Sequence, residues 1–223
     1  MAEIPVSSQR GCPLCLGGYI SDVGTDKRRA YLLCNSCALV FVPPEFHLTP
    51  GDERLRYDLH HNAAADPAYA AYIDSVAETV CGICATNGSP ARVLDFGAGR
   101  HALLTGALLN RGLDVAAYDP LYGIGSGALD NQYDLVVMCE VFEHLREPGG
   151  EMARVARALS PGGRVFIRTV PYRSRGDFMA WWYKEDPTHV AFAHRLTMKT
   201  VGNILGKRRP RWVDDRSVVF ENL

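Results

Sequence analysis

From Ala91 onward, short apolar runs bounded by turn residues alternate with segments of helical period. Short runs of this kind are typical of buried strands, and their alternation with helices is typical of an α/β fold with a mostly parallel sheet. Two more short runs near the carboxyl end predict antiparallel strands. The predicted strands are Val93–Leu94, Asp114–Tyr118, Tyr133–Met138, Arg164–Val170, Arg211–Val213 and Ser217–Phe220.

Three segments repeat apolar residues at helical spacing. The first begins at Pro67, after an Asp66 suited to cap it, and runs to about Ala85. The other two predicted helices are Ala102–Leu109 and Met198–Leu205. Between strands, Pro120–Gln132 is too short and glycine-rich for a helix and a further strand, and it predicts a loop.

Breaks in these patterns divide the chain into three parts. Residues 42–51 are rich in proline and turn residues, and they predict a linker. We therefore expect a small N-terminal module with its linker at 1–50, a helical extension at 51–88 and an α/β core at 89–223. The length of 223 residues suffices for one full α/β domain and a small module.

Composition narrows the function classes. The chain has 24 Lys+Arg against 25 Asp+Glu, a net charge of −1, which argues against a protein that coats nucleic acid. No segment reads as a secretory signal, and no apolar run approaches a membrane span. We expect a cytoplasmic enzyme or binding protein without a membrane anchor.

A strand, a glycine turn and a helix follow one another at Arg92–Leu109. Asp95 ends the strand, and Gly97 and Gly99 leave room for a ligand to approach the backbone, beside the unpaired N–H groups of a helix start. Asp119 follows at the distance of a ribose-binding acid. The motif therefore indicates a nucleotide-like cofactor, and by itself it also fits a nicotinamide oxidoreductase.

Four of the seven cysteines form two C-x-x-C pairs, with eighteen residues between the pairs. Two such pairs provide four thiolates for a tetrahedral zinc ion, while disulfides are disfavoured in a reducing compartment. The intervening stretch predicts a short hairpin with a charged tip. We expect a zinc ribbon with a structural metal, because four thiolates leave no open coordination position. The ligands would be Cys12, Cys15, Cys34 and Cys37.

The other three cysteines do not form a comparable set. Cys81 and Cys84 lie one helical turn apart, and burial explains them better than a redox site. Cys139 is expected to be a small apolar filler.

The order of the motifs resembles class I S-adenosylmethionine-dependent methyltransferases. The resemblance rests on the glycine motif, on Tyr133–Val137 (YDLVV) running into the E-V-x-E-H run at 140–144, and on Pro161-Gly162-Gly163 before a strand. With the ribbon and the later D-P-T-H-V-x-F run, the chain is also similar to a group of uncharacterised bacterial zinc-ribbon methyltransferases. A zinc module also precedes the core in C-methyltransferases of deoxysugar biosynthesis.

The resemblance implies a Rossmann-like core that binds S-adenosylmethionine. The backbone at Gly97 and Gly99 would approach its methionine part, Asp95 would lie near its ammonium group, and Asp119 would accept hydrogen bonds from the ribose hydroxyls. Glu140 is a further expected cofactor contact. Because the loop at 120–132 replaces a helix and a strand, the usual adenine-contacting acid has no direct counterpart, and Leu129 and Asp130 are candidates in its place.

The acceptor side is expected after the fourth strand. Three consecutive aromatic residues, Trp181 to Tyr183, predict a wall or lid over the pocket, or packing beneath a loop. We expect catalysis by positioning, with His189, His144 and Glu143 as candidates for a base. Two other groups have two interpretations each. Tyr57, His60 and His61 face either the pocket or solvent, and the basic run 207–211 is either a solvated turn or a phosphate contact.

A second metal is the boldest prediction. If a helix began beside Glu140, then Glu140, Glu143 and His144 would share one face, and His189 could complete a site for Mg²⁺, Mn²⁺ or Fe²⁺. The E-x-x-E-H run with a later histidine is similar to the metal site of plant small-RNA 2′-O-methyltransferases. Ubiquinone-pathway O-methyltransferases have a comparable run. Alternatively, these acids merely favour a helix start.

Methyl transfer to a small-molecule acceptor is the function that these features predict. The alternatives are metal-assisted methylation of RNA or another hydroxyl acceptor, and a non-catalytic protein that binds the cofactor or docks on a partner. The sequence names neither the acceptor nor the oligomeric state.

Overall fold

The computed structural model of the protein describes residues 11–59, 66–85 and 91–222. Its strands are β1 (Ile20–Thr25), β2 (Ala30–Cys34), β3 (Val40–Phe41), β4 (Arg92–Phe96), β5 (Asp114–Tyr118), β6 (Tyr133–Cys139), β7 (Leu159–Arg168), β8 (Ala191–Phe192), β9 (Arg209–Trp212) and β10 (Ser217–Glu221). Its α-helices are α1 (Pro50–Asp58), α2 (Pro67–Cys84), α3 (Leu103–Leu109), α4 (Pro148–Arg157) and α5 (Thr197–Ile204).

Six strands form the central sheet, in the order β5-β4-β6-β7-β10-β9. The first four are parallel, and β10 runs antiparallel between β7 and β9. The α/β fold with a mostly parallel sheet and an antiparallel carboxyl-terminal strand is therefore confirmed. Helices α2 and α3 pack on one face around Val80, Leu104 and Leu108, and α4 and α5 pack on the other face around Met152 and Val201.

Most predicted boundaries agree with the structure to within two residues, and the fourth strand is the main exception. It begins at Leu159 rather than Arg164, because the Pro161-Gly162-Gly163 stretch forms a bulge inside the strand rather than a turn before it. A Cβ on Gly163 would lie 2.8 Å from the carbonyl oxygen of Tyr133, so the bulge requires glycine there.

Between β5 and β6 the chain forms a loop with one short 3₁₀ turn, Ala128–Asp130, as predicted. The loop folds back on β5 through reciprocal backbone hydrogen bonds between Asp119 and Ile124. Gly125 permits this close return, because a Cβ there would lie 2.0 Å from the carbonyl oxygen of Ala117.

The described part of the extension before the core contains helices α1 and α2. Asp66 caps α2 by accepting from the N–H groups of Ala68 and Tyr69, as the sequence indicates. Helix α1 was missed, although Thr49 caps it and Pro50 occupies its first turn. The predicted linker therefore ends at the start of a helix. No helix in the described ranges is long and apolar enough to cross a bilayer.

The N-terminal module is a second, antiparallel sheet in the order β1-β2-β3-β8. The predicted hairpin is present as β1 and β2. Strand β8, however, comes from the chain between β7 and β9 of the core sheet, and it pairs with β3 at Val40 and Phe41. The module also rests on α4, where the Gly149 N–H donates to the carbonyl of Pro13. Chain from residues 170–192 thus completes the module.

Candidate functional site

A cavity of about 330 Å³ opens at the carboxyl ends of β4 and β6. This edge is where open α/β sheets bind their ligands, and the size lies in the range of small-molecule sites. The glycine motif lines one side and α2 lines another, while the chain after β7 closes the rest. The main lining residues are Tyr69, Tyr72, Asp95, Gly97, Gly99, His101, Cys139, Glu140, Val170, Trp182, Tyr183 and Arg216.

Both motif glycines have left-handed backbone conformations, with φ of +79° at Gly97 and +69° at Gly99. A Cβ on Gly97 would lie 2.5 Å from a Val141 methyl group, so packing excludes any other residue there. At Gly99 a Cβ would meet nothing within 4 Å. The backbone at Gly99 is therefore open to a ligand.

Asp95 lies at the floor of this cavity and is 2% exposed. Its Oδ2 accepts a hydrogen bond of 2.6 Å from the Thr105 hydroxyl, on the helix that follows the glycine turn. Burial raises the pKa of Asp95 to about 6, and the Thr105 hydrogen bond partly opposes that shift. A cation placed in the cavity would favour the carboxylate form.

Asp119 lies beside the glycine motif, though it is not part of the cavity lining. Its Oδ2 accepts a hydrogen bond of 2.9 Å from the Gly99 N–H. Its Oδ1 accepts from the N–H groups of Leu121 and Tyr122 in the loop after β5. Each carboxylate oxygen has two lone pairs, so Oδ2 retains capacity for a further donor.

Glu140 ends β6 with a φ of +54°, a conformation that costs a non-glycine residue about 1–2 kcal/mol. It reaches the cavity wall, where the hydroxyls of Tyr72 and Tyr183 lie 3.4 and 3.1 Å from its carboxylate oxygens. Arg168 lies 3.7 Å from Oε1. Burial and then the neighbouring Glu143 raise the pKa of Glu140 to about 7.

No helix begins beside Glu140. The chain forms a 3₁₀ turn at Phe142–His144, and α4 starts only at Pro148. The prediction that positions 140, 143 and 144 share a helical face is therefore wrong, because the left-handed residue at 140 turns the chain away from helical geometry. The Tyr183 hydroxyl nevertheless contacts carboxylate oxygens of both Glu140 and Glu143.

Glu143, His144 and His189 form a compact group, with one ligand atom from each within 4.8 Å of the others. Glu143 is 1% exposed, and its Oε2 accepts from the Thr169 hydroxyl. Burial raises the pKa of Glu143. Burial and the nearby His144 lower the pKa of His189 to about 3. Glu140 is not part of the group.

Backbone carbonyls fix the two imidazole rings. His144 Nδ1 lies 3.2 Å from the Thr188 carbonyl oxygen, and His189 Nδ1 lies 2.7 Å from the Tyr183 carbonyl oxygen. A carbonyl only accepts, so each Nδ1 carries the proton and each neutral ring keeps its lone pair on Nε2. This arrangement is typical of metal-ligating histidines. The group lies behind Tyr183 and lines none of the described cavities.

The four module cysteines converge as the spacing predicts. The Sγ atoms pair at 3.5 Å, Cys12 with Cys37 and Cys15 with Cys34, and all four lie within 4.8 Å of one another. Four thiolates bound to one zinc lie about 3.8 Å apart, as follows from a Zn–S distance of about 2.3 Å. The geometry therefore fits a zinc ion. Cys81 and Cys84, in contrast, lie within α2 and pack on its core-facing side.

Several neighbours of the cavity went unnoticed in sequence. Tyr72 was assigned only to the apolar face of α2, yet its hydroxyl contacts Glu140 and Cys139. Arg168 and Arg216 carry no local motif, and only the strand pairing brings them to the site. The structure also locates some of the remaining candidates. Tyr57 packs edge-on against His144, His60 and His61 lie outside the described residues, and Leu129 and Asp130 do not line the cavity.

Curated relatives align with less than half of the chain. An uncharacterized methyltransferase of Mycobacterium tuberculosis is 33% identical over an alignment of 109 residues that covers 40% of this chain and 43% of the relative. A ubiquinone biosynthesis O-methyltransferase of Xylella fastidiosa is 32% identical over an alignment of 106 residues that covers 37% of this chain and 43% of the relative. The aligned part thus spans about 43% of the length of these relatives.

Solved structures share the fold at low identity. The 1,6-didemethyltoxoflavin-N1-methyltransferase of Burkholderia thailandensis has a TM-score of 0.51 and 17% identity, covering 89% of this chain and 96% of that one. An O-methyltransferase family protein of the same organism also has a TM-score of 0.51, at 16% identity, covering 75% and 61%. Residues 62–203 match the family model described as a methyltransferase domain. Since that match covers more than half of the chain, the protein belongs to the methyltransferase domain family.

Proposed function

We propose that the protein transfers a methyl group from S-adenosylmethionine to a small-molecule acceptor. The observation that carries the proposal is a pair of adjoining cavities at the carboxyl edge of the sheet. One is the cavity of about 330 Å³ lined by the glycine motif, which we call the donor cavity. The other is larger and lined by the chain after β7, and we call it the acceptor cavity. The family match supports this donor over a nicotinamide cofactor. The 1,6-didemethyltoxoflavin-N1-methyltransferase of Burkholderia thailandensis was solved with bound 1,6-didemethyltoxoflavin and S-adenosylhomocysteine. The Xylella relative is named as an O-methyltransferase.

Donor binding would use the residues of the smaller cavity. The open backbone at Gly99 admits the methionine part, and Asp95, buried beside it, pairs with the ammonium group. Asp119 would accept from the ribose through the remaining lone pairs of its carboxylate. S-adenosylmethionine itself supplies the electrophilic methyl group.

The chain's own residues would mainly position the acceptor and exclude water. Trp182 and Tyr183 line the donor cavity, and Trp182 also lines the larger cavity, so this wall aligns the acceptor with the methyl group. Glu140 is a candidate base, because it lines the donor cavity with a pKa of about 7. Glu143, His144 and His189 would then act on the acceptor through Tyr183 or through a bound metal.

A second divalent metal is a candidate addition, favoured by the Glu143, His144 and His189 group. One carboxylate and two imidazole Nε2 atoms suit Mn²⁺ or Fe²⁺ better than Mg²⁺. Such an ion would support the alternative of metal-assisted methylation of a hydroxyl, including one on RNA. Full activity in excess chelator would mean that these three residues only pack between α1 and the segment after β7.

A structural zinc is the third part of the proposal, held by Cys12, Cys15, Cys34 and Cys37. Because the module completes its sheet with β8, zinc binding would also fix the chain that lines the acceptor cavity.

The test is incubation of the protein with methyl-labelled S-adenosylmethionine and fractionated cell extract, followed by mass spectrometry. A labelled small molecule is expected, and its formation at limiting donor should fall in the Asp119→Ala variant in step with donor affinity. A labelled product destroyed by ribonuclease would favour the RNA alternative. Tight donor binding with no labelled product in any fraction would favour a non-catalytic binding protein.

A further inference from the structure

A second cavity, of about 750 Å³, adjoins the donor cavity. Val170, Trp182 and Arg216 line both spaces, so a ligand in the larger one would meet the donor across a shared wall. The larger cavity is built from the chain after β7, the segment following β8 and the turn between β9 and β10.

Three arginines line this cavity, against two aspartates. Arg195 is already engaged, because it pairs with Asp215 at 3.0 Å and lies over the Trp212 ring at 4.4 Å. Asp177 accepts a hydrogen bond from Ser174, and no arginine of the described residues pairs with it. Within residues 11–59, 66–85 and 91–222, no hydrogen bond or ion pair engages the side chains of the other two, Arg173 and Arg216.

His194 adds a ring N–H donor to the same wall. Its Nδ1 accepts a hydrogen bond of 3.1 Å from the Leu196 N–H, so in the neutral ring the proton lies on Nε2. Tyr172 holds the ring at a centroid distance of 5.1 Å. Trp182, which is 63% exposed, supplies an apolar face next to these donors.

We propose that this cavity binds an acceptor that carries a carboxylate or a phosphate, held by Arg173 and Arg216. Guanidinium groups bind both anions through paired N–H donors, and two unpaired guanidinium groups on one cavity provide such donors. The apolar part of the acceptor would lie against Trp182, which leads toward the donor cavity. The inference rests on the proposed function, because it assigns the acceptor side of the same site.

Fluorine NMR of three small probes tests the proposal on the full chain saturated with S-adenosylhomocysteine. The probes are 4-fluorobenzoate, 4-fluorophenyl phosphate and 4-fluorobenzamide. They share a fluorinated ring and carry a carboxylate, a phosphate and a neutral amide, respectively. The variants are Arg173→Gln and Arg216→Gln. Arg157→Gln is the matched control, because Arg157 is exposed on α4 and lies outside the described cavities.

Binding of at least one anionic probe at millimolar concentration is expected, with the neutral amide binding at least tenfold more weakly. Each cavity variant should weaken the anionic probe about tenfold, the scale of one lost charged hydrogen bond, while Arg157→Gln leaves it unchanged. The tighter of the two anions identifies the acceptor group as carboxylate or phosphate.

Equal binding of the amide and benzoate, or cavity variants that behave like Arg157→Gln, would overturn the proposal. So would the absence of binding by both anions. Calorimetric titration of S-adenosylhomocysteine into the same samples distinguishes failure of the acceptor proposal from failure of the proposed function. Intact titration without anion selectivity rejects only the acceptor class, whereas loss of that titration in the unmodified protein rejects the proposed function.

Discussion

Removal of the Arg29 side chain should destabilise the link between the N-terminal module and the acceptor side. Arg29 is 2% exposed, and all five guanidinium N–H groups have acceptors. One bond goes to the Tyr31 hydroxyl, and the other four go to backbone carbonyls of residues 184–189, directly after the cavity-lining Trp182 and Tyr183. Those carbonyls belong to Lys184, Asp186, Pro187 and His189.

The magnitude follows from what Arg29→Ala leaves behind. Hydrogen bonds to a charged group contribute about 1.5–3 kcal/mol each, but water can reach some of the abandoned carbonyls and the terms are not additive. We therefore expect a total cost of about 3–5 kcal/mol, as for breaking a buried charged contact. In a chain of this size that corresponds to a fall in Tm of roughly 6–20 °C.

Arg28→Ala is the matched control. Arg28 directly precedes Arg29 in the same hairpin tip, but its Nη2 pairs with Oε2 of the exposed Glu185 at 2.7 Å. Such a surface pair contributes about 0–1 kcal/mol. Thermal and urea unfolding followed by circular dichroism measure both variants. If Arg29→Ala is no less stable than Arg28→Ala, then the Arg29 contacts do not hold residues 184–189 against the module, and this prediction is wrong.

Four further outcomes are expected. Asp119→Ala should weaken S-adenosylmethionine binding by about 1–3 kcal/mol in calorimetry while the fold is retained, and unchanged affinity would remove Asp119 from the site. Purified, reduced protein should contain about one zinc per chain by metal analysis, and Cys34→Ser should release it; absence of zinc would contradict the ribbon. S-adenosylmethionine affinity should rise with pH and be about tenfold lower at pH 5 than at pH 7, because the raised pKa of Asp95, about 6, keeps its carboxyl protonated below that value. The rise should be smaller in Asp95→Asn, and an equal slope in that variant would exclude Asp95 as its cause. If the second metal is functional, activity on the acceptor should vanish with chelator, return with Mn²⁺ and be lost in His144→Ala.

The α/β core was predictable because its signals are local. Buried parallel strands are short apolar runs, and the glycine turn must follow one of them, so the strands and Gly97 could be assigned without tertiary information. The loop at 120–132 was also predictable, since its glycines and length exclude regular structure. The cluster of four cysteines followed from their spacing alone.

The remaining features depend on contacts between distant segments. Nothing in the local pattern of Ala191–Phe192 indicates that it completes the module sheet, because pairing of β8 with β3 is decided in three dimensions. Helix α1 was missed because it is polar all round and has no buried residue. The expected helix at Glu140 failed because one left-handed residue cannot be recognised from sequence when it is not glycine.

Direct titration of the donor tests the central claim. S-adenosylmethionine and NAD⁺ are each titrated into the purified full chain by calorimetry, with Gly99→Val as the variant that fills the open backbone position with a branched side chain. We expect one S-adenosylmethionine per chain, no heat from NAD⁺, and loss of donor binding in the variant. Tighter binding of NAD⁺ than of S-adenosylmethionine, or equal donor affinity in Gly99→Val, would contradict a methyl-donor site at this turn.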